Sequence, residues 1–145
     1  MKLVLQRVTS SQVYENDTII GSIDNGLLIL LGVHNEDTEE KVQKLVDKIA
    51  KLRIFSDIEG KTNLSIKDVN GQVLIVSQFT LYADTRKGNR PSFTDAADPD
   101  KANYIYKYFI NYCKEKFEHV EEGNFGAYMK VSLVNDGPFT IIMEE

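Results

Sequence analysis

A nearly continuous apolar run, Leu27 to Val33, follows the turn-forming triplet Asp24-Asn25-Gly26 and limits the folds open to this chain more than any other segment. Its aliphatic centre, Leu27-Leu28-Ile29-Leu30-Leu31, falls far short of the roughly 18 residues that span a bilayer. An apolar run this short, without polar alternation, reads as a β-strand buried on both faces, at the centre of a sheet. The segments before it, Leu3–Val8, Gln12–Glu15 and Thr18–Ile23, read as an opening β-meander with a turn at Asn16-Asp17.

Helical spacing follows Asp37-Thr38-Glu39-Glu40, which offers an N-cap and an acidic first turn, and runs through Val42, Leu45, Val46 and Ile49. A second helix is expected from the cap-and-proline pair Asp98-Pro99, with Ile105, Tyr108, Phe109 and Tyr112 along one stripe that faces the core. Val73–Val76 and Met129-Val131-Leu133 read as strands. After Asn135-Asp136-Gly137-Pro138, read as a turn, Phe139–Met143 forms the last strand of a hairpin. Strands, helix, strand, helix, strands is the order of an α+β domain whose helices cover a largely antiparallel sheet. At 145 residues one domain, 1–145, accounts for the whole chain.

Hydrophobic residues make up 42% and charged residues 27%, the proportions of a folded globular domain. With 17 Lys+Arg against 22 Asp+Glu, the net charge of −5 argues against a general nucleic-acid coat, so a polyanionic partner must be gripped locally. A single cysteine, Cys113, excludes an intrachain disulfide and a Cys-rich metal site, and its place beside the aromatic stripe makes it a packed thiol. Gln6 and Arg7 interrupt what would be the apolar segment of a signal peptide, so a cytoplasmic protein is expected. His34 and His119 are the only histidines. A three-His metal site is thereby excluded, and no ligand cluster or cofactor motif is seen.

Two polar segments stand out. Val76-Ser77-Gln78-Phe79-Thr80-Leu81-Tyr82 passes from a buried strand into hydroxyl and amide residues, which at a strand end either satisfy the backbone or serve a site. The stretch Asp84-Thr85-Arg86-Lys87-Gly88-Asn89-Arg90-Pro91-Ser92 is too long and polar for a tight turn, and Arg86, Lys87 and Arg90 are either solvated or phosphate-binding.

Several strings in order resemble the D-aminoacyl-tRNA deacylase family: Gln6-Arg7-Val8, Leu52-Arg53-Ile54-Phe55, Glu59-Gly60-Lys61, Asn63-Leu64-Ser65, Val76 through Asp84, Lys87-Gly88-Asn89-Arg90-Pro91-Ser92-Phe93, Phe125-Gly126-Ala127 and Val134-Asn135-Asp136-Gly137-Pro138. They cover nearly the whole chain. Two departures are visible: Phe139 follows Gly-Pro where the family commonly has Val, and Asn124 and Tyr128 flank Phe125-Gly126-Ala127 where Arg and Asp are usual.

The resemblance implies a barrel-like homodimer that hydrolyses the ester joining a D-amino acid, or glycine on tRNA(Ala), to the 3′ end of tRNA. It implies a cis Gly137-Pro138 pair inserted into the other subunit's site, held in orientation by Arg7, so that backbone excludes L side chains. Main-chain N–H groups at Phe79 and Thr80 would meet the developing oxyanion, Ser77 and Gln78 would organise the adenosine, and Phe125, Ala127 and Met129 would contribute to substrate binding. The ribose 2′-hydroxyl would assist the attacking water, leaving Thr80 without a nucleophilic role and the reaction without a cofactor. Arg86, Lys87 and Arg90 are the candidates for tRNA contact. Two other readings are a related deacylase with a trans Gly-Pro bond acting on small L-aminoacyl-tRNA, against which Ser77 speaks because those relatives carry Pro there, and a non-catalytic nucleic-acid-binding dimer, against which the acidic charge speaks.

Overall fold

The computed structural model describes residues 1–145. In chain order its elements are β1 (Lys2–Glu15), β2 (Thr18–Ile23), β3 (Gly26–Gly32), α1 (Glu39–Lys51), β4 (Arg53–Ser56), β5 (Thr62–Ser65), β6 (Gln72–Ser77), a 3-10 turn (Phe79–Tyr82), α2 (Pro99–Lys116), β7 (Val120–Glu122) and β8 (Met129–Glu144). The main sheet runs β2-β1-β3-β6-β7, and β8 pairs with β1. β1 is antiparallel to β2, β3 and β8, while β3, β6 and β7 are parallel to one another. β4 and β5 form a separate hairpin.

The long β1 organises this arrangement. Its first half pairs with β3 from Lys2 to Val8 and its second with β2 from Ser11 to Glu15, while β8 follows it from end to end. The chain thereby curls into a nearly closed, barrel-like sheet: a Cβ on Gly21 of β2 would sit 3.1 Å from the Glu122 carbonyl and 3.2 Å from Leu74 across the barrel. The apolar run behaves as its pattern dictates. Leu27, Ile29 and Leu31 join Val73 and Ile75 in the core beneath the helices, while Leu28 joins Val8, Val13, Ile23, Leu74 and Val76 in a smaller core on the opposite face. Each such side chain contributes roughly 1.5–3 kcal/mol on full burial. The helix-side core takes Val42, Leu45, Val46 and Ile49 from α1, and Ile105, Tyr106, Phe109, Ile110 and Cys113 from α2. No helix is long and apolar enough to cross a membrane.

Four expectations need correction. The opening meander is a single strand up to the Asn16-Asp17 turn, whose residues take φ of 48° and 61°, as a two-residue hairpin loop demands. The segment Asn135–Pro138 reverses nothing: the halves of β8 on either side of it both pair with β1, at Gln6↔Thr140 and Val8↔Asn135, so Asp136–Phe139 bulges out opposite Arg7 alone. Thr38 stands at the N-cap of α1 without a side-chain bond, because Asp37 is turned instead toward the Met1 ammonium (2.6 Å) and the His34 N–H (2.7 Å). On α2, Tyr108 and Tyr112 are only partly buried, their hydroxyls donating to or accepting from the α1 residues Gln43 (2.7 Å) and Asp47 (3.2 Å), while Tyr106 carries the burial that the stripe left unassigned. The Asp98 cap forms as read, accepting from the N–H groups of Asp100 and Lys101.

Candidate active site

The residues singled out by sequence fall into two groups. The first lies at the C-terminal end of β6. There Gln78 N–H donates to the Leu31 carbonyl (2.8 Å), carrying the β3–β6 ladder one residue past the strand, and the chain tightens into the 3-10 turn. Gly32 permits this: a Cβ there would meet Leu81, Tyr82 and the Gln78 carbonyl at 3.1–3.3 Å. The turn's ladder starts with Leu81 N–H to the Gln78 carbonyl (3.2 Å), so the N–H groups of Phe79 and Thr80 precede it and have no partner within the turn. Gln78 Nε2 donates to Thr80 Oγ1 (2.5 Å); the hydroxyl of Thr80 therefore has an amide beside it, not a base. Thr80 and Phe79 are exposed, whereas Ser77 and Gln78 are half-buried.

The 123–129 loop borders the same strand end. Gly123 N–H donates to the Ile75 carbonyl (2.8 Å), and the buried Tyr106 hydroxyl lies 2.9 Å from both the Ile75 and Gly123 carbonyls. Burial pushes the Tyr106 phenol well above its ordinary pKa, so the hydroxyl stays a donor. The Phe125 ring packs against Tyr106 at 5.7 Å, Gly126 turns the chain with φ of 77°, and Met129 Sδ fills the space where a Gly123 side chain would stand. Phe125 and Met129 are thus brought to the end of β6, while the Ala127 N–H donates to the Asn124 carbonyl within the loop (3.2 Å), and Tyr106 is the structural support of this loop that sequence reasoning missed. Its signal was its place one residue from the α2 stripe.

The second group centres on the β8 bulge. Gly137 and Pro138 are exposed, the peptide bond between them is cis, and Gly137 has a φ of 137°. Arg7, only 8% exposed, clamps the bulge from behind. Its Nε donates to the Asp136 carbonyl (3.0 Å) and lies 3.2 Å from the Asp136 carboxylate, its Nη1 donates to the Ile54 carbonyl (2.6 Å), and its guanidinium lies 4.7 Å from the centre of the Phe139 ring. The Phe139 N–H donates to Asn135 Oδ1 (2.6 Å), closing the bulge on itself. Phe139, where the family commonly carries Val, supplies the aromatic face for Arg7. Asn124, at the other departure, donates to Glu15 (3.1 Å), and Tyr128 is largely exposed at the loop edge.

Within one chain these groups stay apart. Arg7 pairs with Leu27 at one end of β3, whereas Gln78 caps Leu31 at the other; these four strand steps span roughly 13 Å. Between Asp84 and Ser92 the basic loop is pinched shut by reciprocal main-chain bonds of 2.8 and 3.0 Å. Arg86 is held by the Asp84 carboxylate through two 2.8 Å bonds, which depress the carboxyl far below its usual range, while Lys87 and Arg90 have no carboxylate partner. The His34 ring packs on Tyr82 at the end of the 3-10 turn, with centroids 5.4 Å apart, and His119 is a surface residue 3.4 Å from Glu121. Cys113 is buried and unpaired, its thiol pushed up by desolvation.

Comparison with known proteins agrees along the whole chain. A family model described as D-Tyr-tRNA(Tyr) deacylase matches residues 4–144. A D-aminoacyl-tRNA deacylase of Dictyoglomus turgidum is 58% identical over 144 residues, with 99% of this chain and 92% of that protein covered, and one of Bacillus pumilus is 57% identical with 99% and 98% covered. Among solved structures, one titled c-Myc DNA Unwinding Element Binding Protein superposes with a TM-score of 0.94 at 40% identity, covering 100% of this chain and 99% of the other. A probable eukaryotic D-amino acid tRNA deacylase shares the fold at a TM-score of 0.87 and 16% identity, over 98% and 97%. A match this complete, carried by a chain whose polar residues gather at the β6 end and the β8 bulge, makes it a member of the D-Tyr-tRNA(Tyr) deacylase family.

Proposed function

We propose that this protein is a D-aminoacyl-tRNA deacylase: a cytoplasmic hydrolase that frees tRNA from D-amino acids, and from glycine mischarged on tRNA(Ala), by cleaving the ester at the terminal adenosine. The observation that carries the reading is the exposed Gly137-Pro138 bulge, gripped by Arg7 and remote from Ser77–Thr80 of its own chain. A bulge so braced and so placed serves best when it enters the β6 end of a second copy. The edge of β8 supports such a partner, since this strand pairs only with β1 and exposes Val134 (57%) and Ile142 (66%) on either side of the bulge.

In the completed site, the main-chain carbonyls of the bulge accept the substrate's α-ammonium group, and the backbone fills the space that an L side chain needs. D side chains point elsewhere and glycine has none, so selection works by exclusion. Ser77 and Gln78 organise the adenosine, with Phe125 and Met129 near them at the strand end and Ala127 contributed by the same loop. An aminoacyl ester is already activated. Water attacks its carbonyl, the N–H groups of Phe79 and Thr80 stabilise the oxyanion, and the ribose 2′-hydroxyl assists proton transfer to the leaving oxygen. Thr80 forms no acyl intermediate, because its hydroxyl has only the Gln78 amide to polarise it.

The test is release of amino acid from D-charged and L-charged tRNA side by side, with gel filtration of the same preparation. Rapid D release, little L release and a dimeric mass are expected. Preferential release of small L-amino acids would replace this reading with the L-specific one, and tight tRNA binding without release would replace it with the non-catalytic one. Thr80→Ala should retain hydrolysis, and a trapped acyl-Thr80 adduct would overturn the substrate-assisted route.

A further inference from the structure

We infer that Phe93 and Phe79 together form a stacking platform for a nucleobase of a single-stranded RNA 3′ end, immediately upstream of the terminal nucleotide, with Lys87 and Arg90 neutralising the adjoining phosphates. The inference rests on the reading of Ser77–Thr80 as the place of the terminal adenosine. Phe79 is 59% exposed and Phe93 36% exposed, and their rings meet edge to face with centroids 5.0 Å apart. Two phenyl rings that pack for stability alone would withdraw from water, yet in the single chain these remain open at the mouth of the 3-10 turn. A ring pair that presents a face is what an unpaired base stacks on, whatever its identity.

The charge pattern points to the same occupant. This chain carries a net charge of −5, so a cationic loop beside an aromatic pair runs against its overall field. Of the loop's three cations, Arg86 is committed to Asp84 and also faces Asp95, which leaves Lys87 and Arg90 for an external anion. The Asp84–Ser92 pinch fixes the loop's neck, and Phe93 is the next residue along the chain. Base stacking and phosphate binding are thereby supplied by one continuous segment.

The experiment compares two D-aminoacyl esters, one on full-length tRNA and one on adenosine alone, which has no upstream base or phosphate. Phe93→Leu keeps an apolar contact to Phe79 but removes the aromatic face. It should raise KM for the tRNA ester about tenfold with kcat little changed, and leave the adenosine ester unaffected; Phe93→Tyr should restore the tRNA value. Lys87→Ala with Arg90→Ala should flatten the salt dependence of kcat/KM on tRNA by about 0.7 for each phosphate that is no longer neutralised. Equal losses on both esters, loss of dimer in gel filtration, or no change on tRNA would overturn the platform, and an unchanged salt slope would overturn the role of the two cations. Wild-type protein that cleaved neither ester would remove the deacylase reading itself, a result distinct from any of these.

Discussion

The bulge at Gly137 and the turn at Phe79 are built on opposite plans. Around the bulge the polar groups are spoken for inside the chain: Arg7 takes the Asp136 and Ile54 carbonyls, Asn135 takes the Phe139 N–H, and the Phe139 ring covers the guanidinium. At the turn, the leading N–H groups lie outside the local ladder, Thr80 is exposed, and the nearest aromatic rings are open to solvent. The first arrangement suits a group that must hold its shape while something is pressed against it, and the second a receptor whose bonds are completed by substrate. A selective wall has to be stiff before the substrate arrives, whereas an oxyanion site only has to be correctly aimed.

That contrast breaks most severely at Gly137. A Cβ there would lie 3.1 Å from the Phe139 nitrogen and 3.2 Å from Arg7 Nη2, at a φ of 137° that L residues rarely adopt. Gly137→Ala should cost the bulge about 1–3 kcal/mol of local strain and reduce D-aminoacyl-tRNA hydrolysis about 100-fold, or relax its handedness, because displacements near 1 Å cost that much in a positioned site. Cys113 gives an internal control: its thiol is buried and pushed up by desolvation, so it should remain unreactive toward alkylating reagents in this variant. Full activity with unchanged selectivity would end the idea of a rigid wall.

Arg7→Lys comes next. An ammonium group cannot reproduce two directed bonds to separate carbonyls together with a face against Phe139, so one carbonyl loses its partner. Thermal unfolding should show a loss of about 1–3 kcal/mol, and hydrolysis should fall about tenfold. A variant as active as wild type would mean that the bulge keeps its shape without the clamp.

These two regions were not equally legible in the sequence. The apolar run of β3 and the Asp98-Pro99 start of α2 could be read directly, since burial on both faces and helix capping are local signals. Ser10 and Ser11 fall between the segments Leu3–Val8 and Gln12–Glu15 read as separate strands, but β1 continues through them on its ladder to β8, and the buried Ser11 hydroxyl donates to the Ser132 carbonyl (3.0 Å). Asn135-Asp136-Gly137-Pro138 carries every local mark of a chain reversal. Pairing with β1 on both sides overrides it, and the turn-forming residues become the bulge instead. Family resemblance supplied the site residues; long-range pairing, which no short window contains, supplied their separation along β3.

Tyr106→Phe probes the receptor side with a smaller effect. Its hydroxyl serves the Ile75 and Gly123 carbonyls, joining β6 to the loop that carries Phe125, and phenylalanine leaves both without that donor. A destabilisation of about 1–3 kcal/mol is expected, with KM for the aminoacyl ester raised more than kcat is lowered, because the proposed site uses this loop to bind substrate while the turn's N–H groups are left in place. Equal falls in both parameters would show that the strand end is as tightly coupled to its surroundings as the bulge.

The smallest effect belongs to the neck of the basic loop. Asp84 is held ionised by its side-chain bonds to Arg86, so its folded pKa lies below the unfolded value of about 3.9. A carboxyl depressed in this way adds stability that is fully present above the unfolded pKa and fades as the pH falls through the folded one. The pair is open to water, so global unfolding should be nearly blind to it, and the change should be confined to residues 84–92. Amide exchange at Asp84 and Ser92, whose main-chain bonds close the loop, should therefore hold constant from neutral pH down to about 4.5, after correction for intrinsic rates, and loosen only below the usual carboxylate range. In Arg86→Ala the same loosening should already be present at neutral pH, and if it is not, the pinch at Ser92 alone sets the loop's shape.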